Sequence, residues 1–463
     1  MYFKQFVRND IGCAGYLVAS AGGAAAVVDP RLDMAEEILA EAAREGLTIR
    51  YVIETHTHAD HVSGHHEIAR RTGATVAIHA DAGVAYPHLA LQHGDEIVLD
   101  EVRLRVIHTP GHRPEHIAIA VIDGARGDDP WLVLTGDSLF VGDVARPDLA
   151  IPGVEGARTL YRSLHERLLT LPEGTLVYPA HVAGSLCGRV TSRMTGSTIG
   201  YERRFNPGLQ LDEEAFVRFT TEGLPERPPN LLRIVALNKA ASPPARPSPL
   251  PLSPAEVAER AAAGAVVLDV RPPAAFSAGH LAGAIGVDLH GGQFQNRVGL
   301  IVSAETELLI VANDDAEARR AAEALAVIGF DRVSGYLEGG VAAWRAAGFD
   351  LAPLEELSAR ELAERRRREP SLVIVDVREP AEWEEGHIEG ALSIPLSQVP
   401  AELARLPADR PLAVVCAGGT RSVIAASLLR ARGRTNALNV RDGMDGWRAA
   451  GLPVVRGAPA GVR

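Results

Sequence analysis

A chain of 463 residues exceeds what one compact core holds, so roughly three units of about 100–200 residues are expected. Hydrophobic residues at 46% and charged residues at 23% match soluble globular proteins and exclude disordered and fibrous classes. A formal charge of −12, with no basic block interleaved with aromatics, argues against a nucleic-acid partner.

The start, Met1 to Phe6, shows neither a long apolar segment nor a cleavage site, and no run of about 18 apolar residues follows. A cytoplasmic protein with no membrane partner is expected. Three scattered cysteines make a poor disulfide framework and suit a reducing compartment. Cys13, before the apolar run Tyr16-Leu17-Val18, reads as a thiol buried in the first strands. Short runs such as Ala26-Val27-Val28 and Tyr51-Val52-Ile53 alternate with helical stretches such as Met34–Leu39, so residues 1–238 read as mixed α/β.

Directly after Ile53 comes Thr55-His56-Thr57-His58-Ala59-Asp60-His61, with three imidazoles and a carboxylate within six residues. Such donors ligate zinc or iron, and a strand end is a rigid place from which to aim them. The arrangement recurs: Leu104–Ile107 leads to His112, Leu132–Leu134 to Asp137, and Leu176–Tyr178 to His181. His116 has the spacing of a residue that supports a ligand, whereas His65, His66, His79, His88, His93, His108 and His165 lack this context and read as ordinary polar residues. Cys187 follows His181 by six residues on a glycine-flanked loop, either as a redox or relay thiol facing the metal pocket or as a packing thiol.

The proline-rich stretch at 239–252 favours extended backbone and reads as a linker. Beyond it the chain repeats: VVLDVRPPAAFSAGHLAGAI from Val266 matches VIVDVREPAEWEEGHIEGAL from Val373. Residues 253–354 and 355–463 are therefore two copies of one small α/β domain. Both open with a serine followed three residues later by glutamate, the pattern of a helix capping box. In the second copy Leu412–Val415 reads as a strand, Cys416-Ala417-Gly418-Gly419-Thr420-Arg421-Ser422 as a loop and Val423–Leu429 as a helix. Loop amides and a helix entrance favour a thiolate at Cys416, and Arg421 adds positive charge for anions such as thiosulfate or sulfite. Gly418, Gly419, Thr420 and Ser422 complete the candidate substrate loop. Four residues separate Cys416 from Arg421, where cysteine phosphatases have five. In the first copy Ala312 and Glu317 stand opposite Cys416 and Arg421, so that copy has no nucleophile.

The T-H-x-H-x-D-H motif and its four strand-end ligands resemble the metallo-β-lactamase superfamily, whose fold is a four-layer αββα sandwich. That resemblance covers residues 1 to about 230, and the two copies resemble rhodanese domains, the first inactive. Within the superfamily, Gly136 to Asp148 is similar to the persulfide dioxygenases fused to sulfurtransferase modules. That resemblance implies one ferrous ion per chain on His56, His112 and Asp137, with His58, Asp60, His61 and His181 tuning the site. It also implies oxidation of a persulfide by dioxygen to sulfite, and a rhodanese that yields thiosulfate. The same seven residues also suit two zincs in a glyoxalase II-like thioesterase, and a non-catalytic persulfide sensor is a third reading. Arg146 either orients an anionic substrate or pairs with Asp148 or Asp143. The sequence leaves room for a homo-oligomer.

Overall fold

The computed structural model describes residues 1–183, 185–188, 192–224, 227 and 229–457. These divide into two compact units, one spanning Met1–Ala245 with Ala326–Gly329, the other Arg246–Leu325 with Phe330–Arg463. Among the described residues no helix is long and apolar enough to cross a membrane.

The first unit holds two six-stranded sheets. One takes its strands in chain order: Tyr2–Arg8, Cys13–Ala19, Ala24–Val28, Thr48–Ile53, Thr75–His79 and Leu89–Leu91. The other contains Val102–His108, Ile117–Asp123, Leu132–Gly136 and Leu176–Pro179 as its central strands. Alternation along these strands sends Tyr16, Val18, Ala26 and Val28 of the first sheet and Leu104, Val106, Ile119 and Leu134 of the second into one shared core. The opposite faces bury helices. Ala35, Ile38 and Ile68 pack on the first sheet, and Leu160, Leu164 and Phe216 on the second. The result is the four-layer αββα sandwich. The strand Val102–His108 runs antiparallel to Ile117–Asp123, which runs antiparallel to Leu132–Gly136, which runs parallel to Leu176–Pro179. Three of the ligand-bearing strands therefore end on one edge of the sheet.

The second unit holds two five-stranded parallel sheets of identical topology, their copy-matched strands in the same order. Ser253 and Ser358 each close the expected capping box, with Glu256 and Glu361. In both copies an arginine pairs inward with the aspartate two residues before it: Arg271 with Asp269, and Arg378 with Asp376, at 2.6 Å. One expectation changes. Leu250–Leu252, inside the stretch read as linker, form a strand parallel to Val333–Leu337. Pro251 is tolerated because this strand is at the sheet's edge, where a missing N–H interrupts no inner ladder.

Candidate metal centre and sulfur-transfer loop

Each of the four apolar runs singled out in the sequence forms a strand, and His56, Asp137, His112 and His181 lie just past their ends. All four are buried, as are His58, Asp60 and His61. His56 Nε2 stands 3.9 Å and His112 Nε2 3.5 Å from Asp137 Oδ2. None of these three atoms has a hydrogen-bond partner. Leaving one buried polar atom unsatisfied costs about 1–3 kcal/mol, so three facing one another make an unstable core unless a cation joins them. Two imidazoles and one carboxylate so grouped could hold a divalent metal ion.

The remaining atoms of these ligands are fixed. Thr55 Oγ1 lies 3.0 Å from His56 Nδ1, and His112 Nδ1 donates to the Arg146 carbonyl at 2.8 Å. His116 Nε2 accepts the Asp137 amide at 2.8 Å. Gly136 has φ +51, and a Cβ there would sit 2.6 Å from His116 Nε2 and 2.7 Å from Thr55 Oγ1. Only glycine lets the strand turn Asp137 into the site. Burial, followed by the neighbouring His58 and His112, drives the His56 pKa well below its ordinary value, and burial lowers that of His112. A lowered pKa favours the neutral imidazole, the form that can ligate a metal.

His181 is differently placed. Its Nδ1 meets Asp137 Oδ1 at 2.6 Å and its Nε2 meets Asp60 Oδ2 at 2.8 Å. A carboxylate at each nitrogen favours the doubly protonated, charged ring. Burial opposes that charge, but Asp137, Cys187 and Asp60 hold its pKa well above the ordinary value. Asp137 in turn is held at about 2 against burial, chiefly by His181. One Asp137 oxygen is thus committed and the other is free. His58 turns Nε2 to Asp29 and Glu54, each at 3.2 Å.

Three participants escaped the sequence reading. Asp29 and Glu54 hold His58, and both follow apolar runs, the same signal that marked the ligands. Cys13 is buried in a strand as expected, yet an isolated bridge pairs it with His181. Its Sγ lies 3.7 Å from Asp60 Oδ2, His61 Nδ1 and His181 Nε2, making a second group of potential ligands. Only through-space proximity links Cys13 to residues 47 or more positions away. His65, read as an ordinary polar residue, is buried 3.4 Å from Glu54. Cys187 is buried with its sulfur grouped with Asp137 and His181, and burial raises its pKa. The Arg146 side chain grips Asp148 with two arms at 2.7 and 3.0 Å, the ion-pair alternative of the two weighed for it.

In the second unit Cys416 ends the strand Leu412–Val415, and its Sγ accepts the Gly419 amide at 3.1 Å and lies 3.4 Å from Ser422 Oγ. Gly419, φ +93, precedes the helix Thr420–Ala431, and a Cβ on it would meet the Arg441 carbonyl at 2.1 Å. Gly418 and Thr420 belong to the same turn. Arg421 does not offer a free charge: Glu382 accepts from both its arms at 2.6 and 2.7 Å. In the first copy Ala312 is a buried residue at the matching strand end. Glu317 folds back on Asn313, accepting its backbone amide at 3.3 Å and its side-chain amide at 2.9 Å. A carboxylate there repels an anion instead of attracting one.

The profile of the metallo-beta-lactamase superfamily matches residues 8–181, and that of the rhodanese-like domain matches 253–347 and 358–450. The chain is 31% identical over 195 residues to the mitochondrial persulfide dioxygenase ETHE1 of Mus musculus, covering 42% of this chain and 70% of that protein. A probable metallo-hydrolase of Burkholderia pseudomallei (strain 1710b) is 31% identical over 199 residues, 36% of this chain and 67% of that one. Among solved structures, a metallo-beta-lactamase from Staphylococcus aureus subsp. aureus COL is 29% identical with a TM-score of 0.65, covering 73% of this chain and 98% of that one.

Proposed function

This chain belongs to the metallo-β-lactamase superfamily, with persulfide dioxygenase relatives and two rhodanese-like domains following, and we propose that it oxidises low-molecular-weight persulfides and carries sulfane sulfur on Cys416. The observation that carries the reading is the unpaired trio His56 Nε2, His112 Nε2 and Asp137 Oδ2, set beside an Asp137 Oδ1 already committed to His181. A single ferrous ion, held by His56, His112 and Asp137, would supply dioxygen activation there. The residues around it position and insulate. Thr55 and the Arg146 carbonyl orient the two imidazoles, and His181 holds the carboxylate to one oxygen. The overall reaction takes a persulfide such as glutathione persulfide, dioxygen and water to the thiol, sulfite and two protons.

At the second site a further persulfide gives its terminal sulfur to Cys416 and leaves as thiolate. Sulfite then attacks the outer sulfur of the Cys416 persulfide, the S–S bond breaks, and thiosulfate departs with Cys416 restored as thiolate. The Gly419 amide stabilises negative charge on that sulfur at both ends of the cycle. A cytoplasmic location suits the free thiols.

The group of Cys13, Asp60, His61 and His181 favours one competing reading, a dinuclear zinc hydrolase. Metal analysis with oxygen-electrode measurements on glutathione persulfide separates the two. We expect one iron per chain, oxygen uptake dependent on persulfide, and loss of both in Asp137→Ala. Two zincs per chain with full turnover and no oxygen consumption would overturn the dioxygenase reading.

A further inference from the structure

Cys13 lies outside the seven ligand-type residues expected from the sequence, yet the fold holds it among three of them. Its strand is clamped to the His181 segment by backbone bonds, from Ala14 to the Ala180 carbonyl at 2.7 Å and from Val182 to the Gly12 carbonyl at 2.8 Å. Gly12 allows that approach: its φ is +72, and a Cβ on it would stand 2.6 Å from the Val182 carbonyl oxygen. Cys13 Sγ thereby comes to 3.7 Å from each of Asp60 Oδ2, His61 Nδ1 and His181 Nε2, and all four side chains are buried. In a tetrahedral zinc site, sulfur at about 2.3 Å and nitrogen or oxygen at about 2.0–2.2 Å from the ion leave about 3.6 Å between the sulfur and each lighter ligand. The three observed separations fit that spacing. The 2.8 Å between His181 Nε2 and Asp60 Oδ2 is a hydrogen-bond distance, which opens when a cation takes the place of the shared proton. Asp137 is not a member of this group. Its Oδ1 meets His181 Nδ1 at 2.6 Å, which orients the imidazole so that Nε2 faces Cys13, and its Oδ2 faces His56 and His112. The two sets of donors therefore share no atom.

We propose that Cys13, Asp60, His61 and His181 form a second cation site, for a thiol-seeking divalent ion such as zinc or cadmium, which fills alongside the metal on His56, His112 and Asp137. Cys13 sets its selectivity, because a thiolate favours softer ions than the two imidazoles and one carboxylate of the neighbouring trio do. The carboxylate of Asp137 need not bridge the two ions. The site stands apart from the dioxygenase reading, since neither oxygen nor persulfide takes part in filling it.

The test is an anaerobic titration of the ferrous-loaded full-length protein with cadmium chloride, with Cys416→Ser in every sample so that the rhodanese thiol binds none. Thiolate-to-cadmium charge-transfer absorption in the ultraviolet reports sulfur ligation, and elemental analysis after desalting counts both metals. We expect one cadmium per chain with that absorption and with the iron retained. Adding Cys187→Ser should leave the absorption in place. Adding Cys13→Ser should abolish it and weaken cadmium binding by roughly tenfold or more, with iron content unchanged as the sign of an intact fold. Cys13→Ala, which keeps a small apolar side chain in the strand, should behave in the same way. Cadmium bound without the absorption, an absorption that depends on Cys187 instead of Cys13, or cadmium that enters only as iron leaves would each overturn the proposal. Oxygen uptake on glutathione persulfide without cadmium tests the dioxygenase reading separately.

Discussion

Asp137 is fixed from three directions: His116 accepts its amide, His181 takes one carboxylate oxygen, and Gly136 makes the turn that aims it. Removing a group that orients a ligand typically costs about 10–100-fold in metal affinity. His116→Ala is therefore expected to weaken metal binding by about that factor while leaving the three candidate ligands in place. Competition with a chelator measures it, and an affinity equal to wild type would contradict the positioning role. The residues that could be read from the sequence are those on the histidine motif and at strand ends, where local spacing carries the signal. Asp29 and Glu54 obeyed the same rule but stood outside the motif. Cys13 could not be read, because only the packing of its strand against the His181 segment brings it to the site. Arg421 illustrates the converse: the loop motif placed it, but its partner Glu382 lies 39 residues away.

At the scale of elements, the residues shared by the two rhodanese copies include those that build the fold, whereas Cys416 and Arg421 are replaced in the first copy by Ala312 and Glu317. Arg271–Asp269 and Arg378–Asp376 repeat, as do the stacked pairs Phe276–His280 and Trp383–His387. The repeat was legible because these buried requirements are local. The edge strand Leu250–Leu252 was not, since its pairing with Val333–Leu337 is long-range and its prolines signal linker. In the second copy, burial raises the Glu382 pKa but Arg421 holds it below the ordinary carboxylate value. The pair's contribution is thus present above Glu382's unfolded value, about 4.3, and fades as pH falls through the lower folded value. Partial exposure limits it to about 0.2–1 kcal/mol. Glu382→Gln should therefore lower the urea midpoint of the second unit slightly at pH 7, and the gap to wild type should close as the medium is acidified. A gap that widens at low pH would contradict the assignment.

On the scale of the whole chain, tethering matters under the proposed function because the product of one site would be the substrate of the other. A linker turns their encounter into a local event at raised effective concentration. The chain's length and composition pointed to several soluble domains, and the repeat and the proline run divided them, but neither says what the tether achieves. Cys416→Ser tests this, since it removes the proposed sulfur carrier and touches none of the candidate metal ligands. The measurement is the ratio of thiosulfate to sulfite formed from glutathione persulfide, by thiol-trapping chromatography, with oxygen uptake recorded on the same samples. Mainly thiosulfate is expected from the intact protein and mainly sulfite from Cys416→Ser at a similar oxygen rate. Equal product ratios from the two proteins would contradict it.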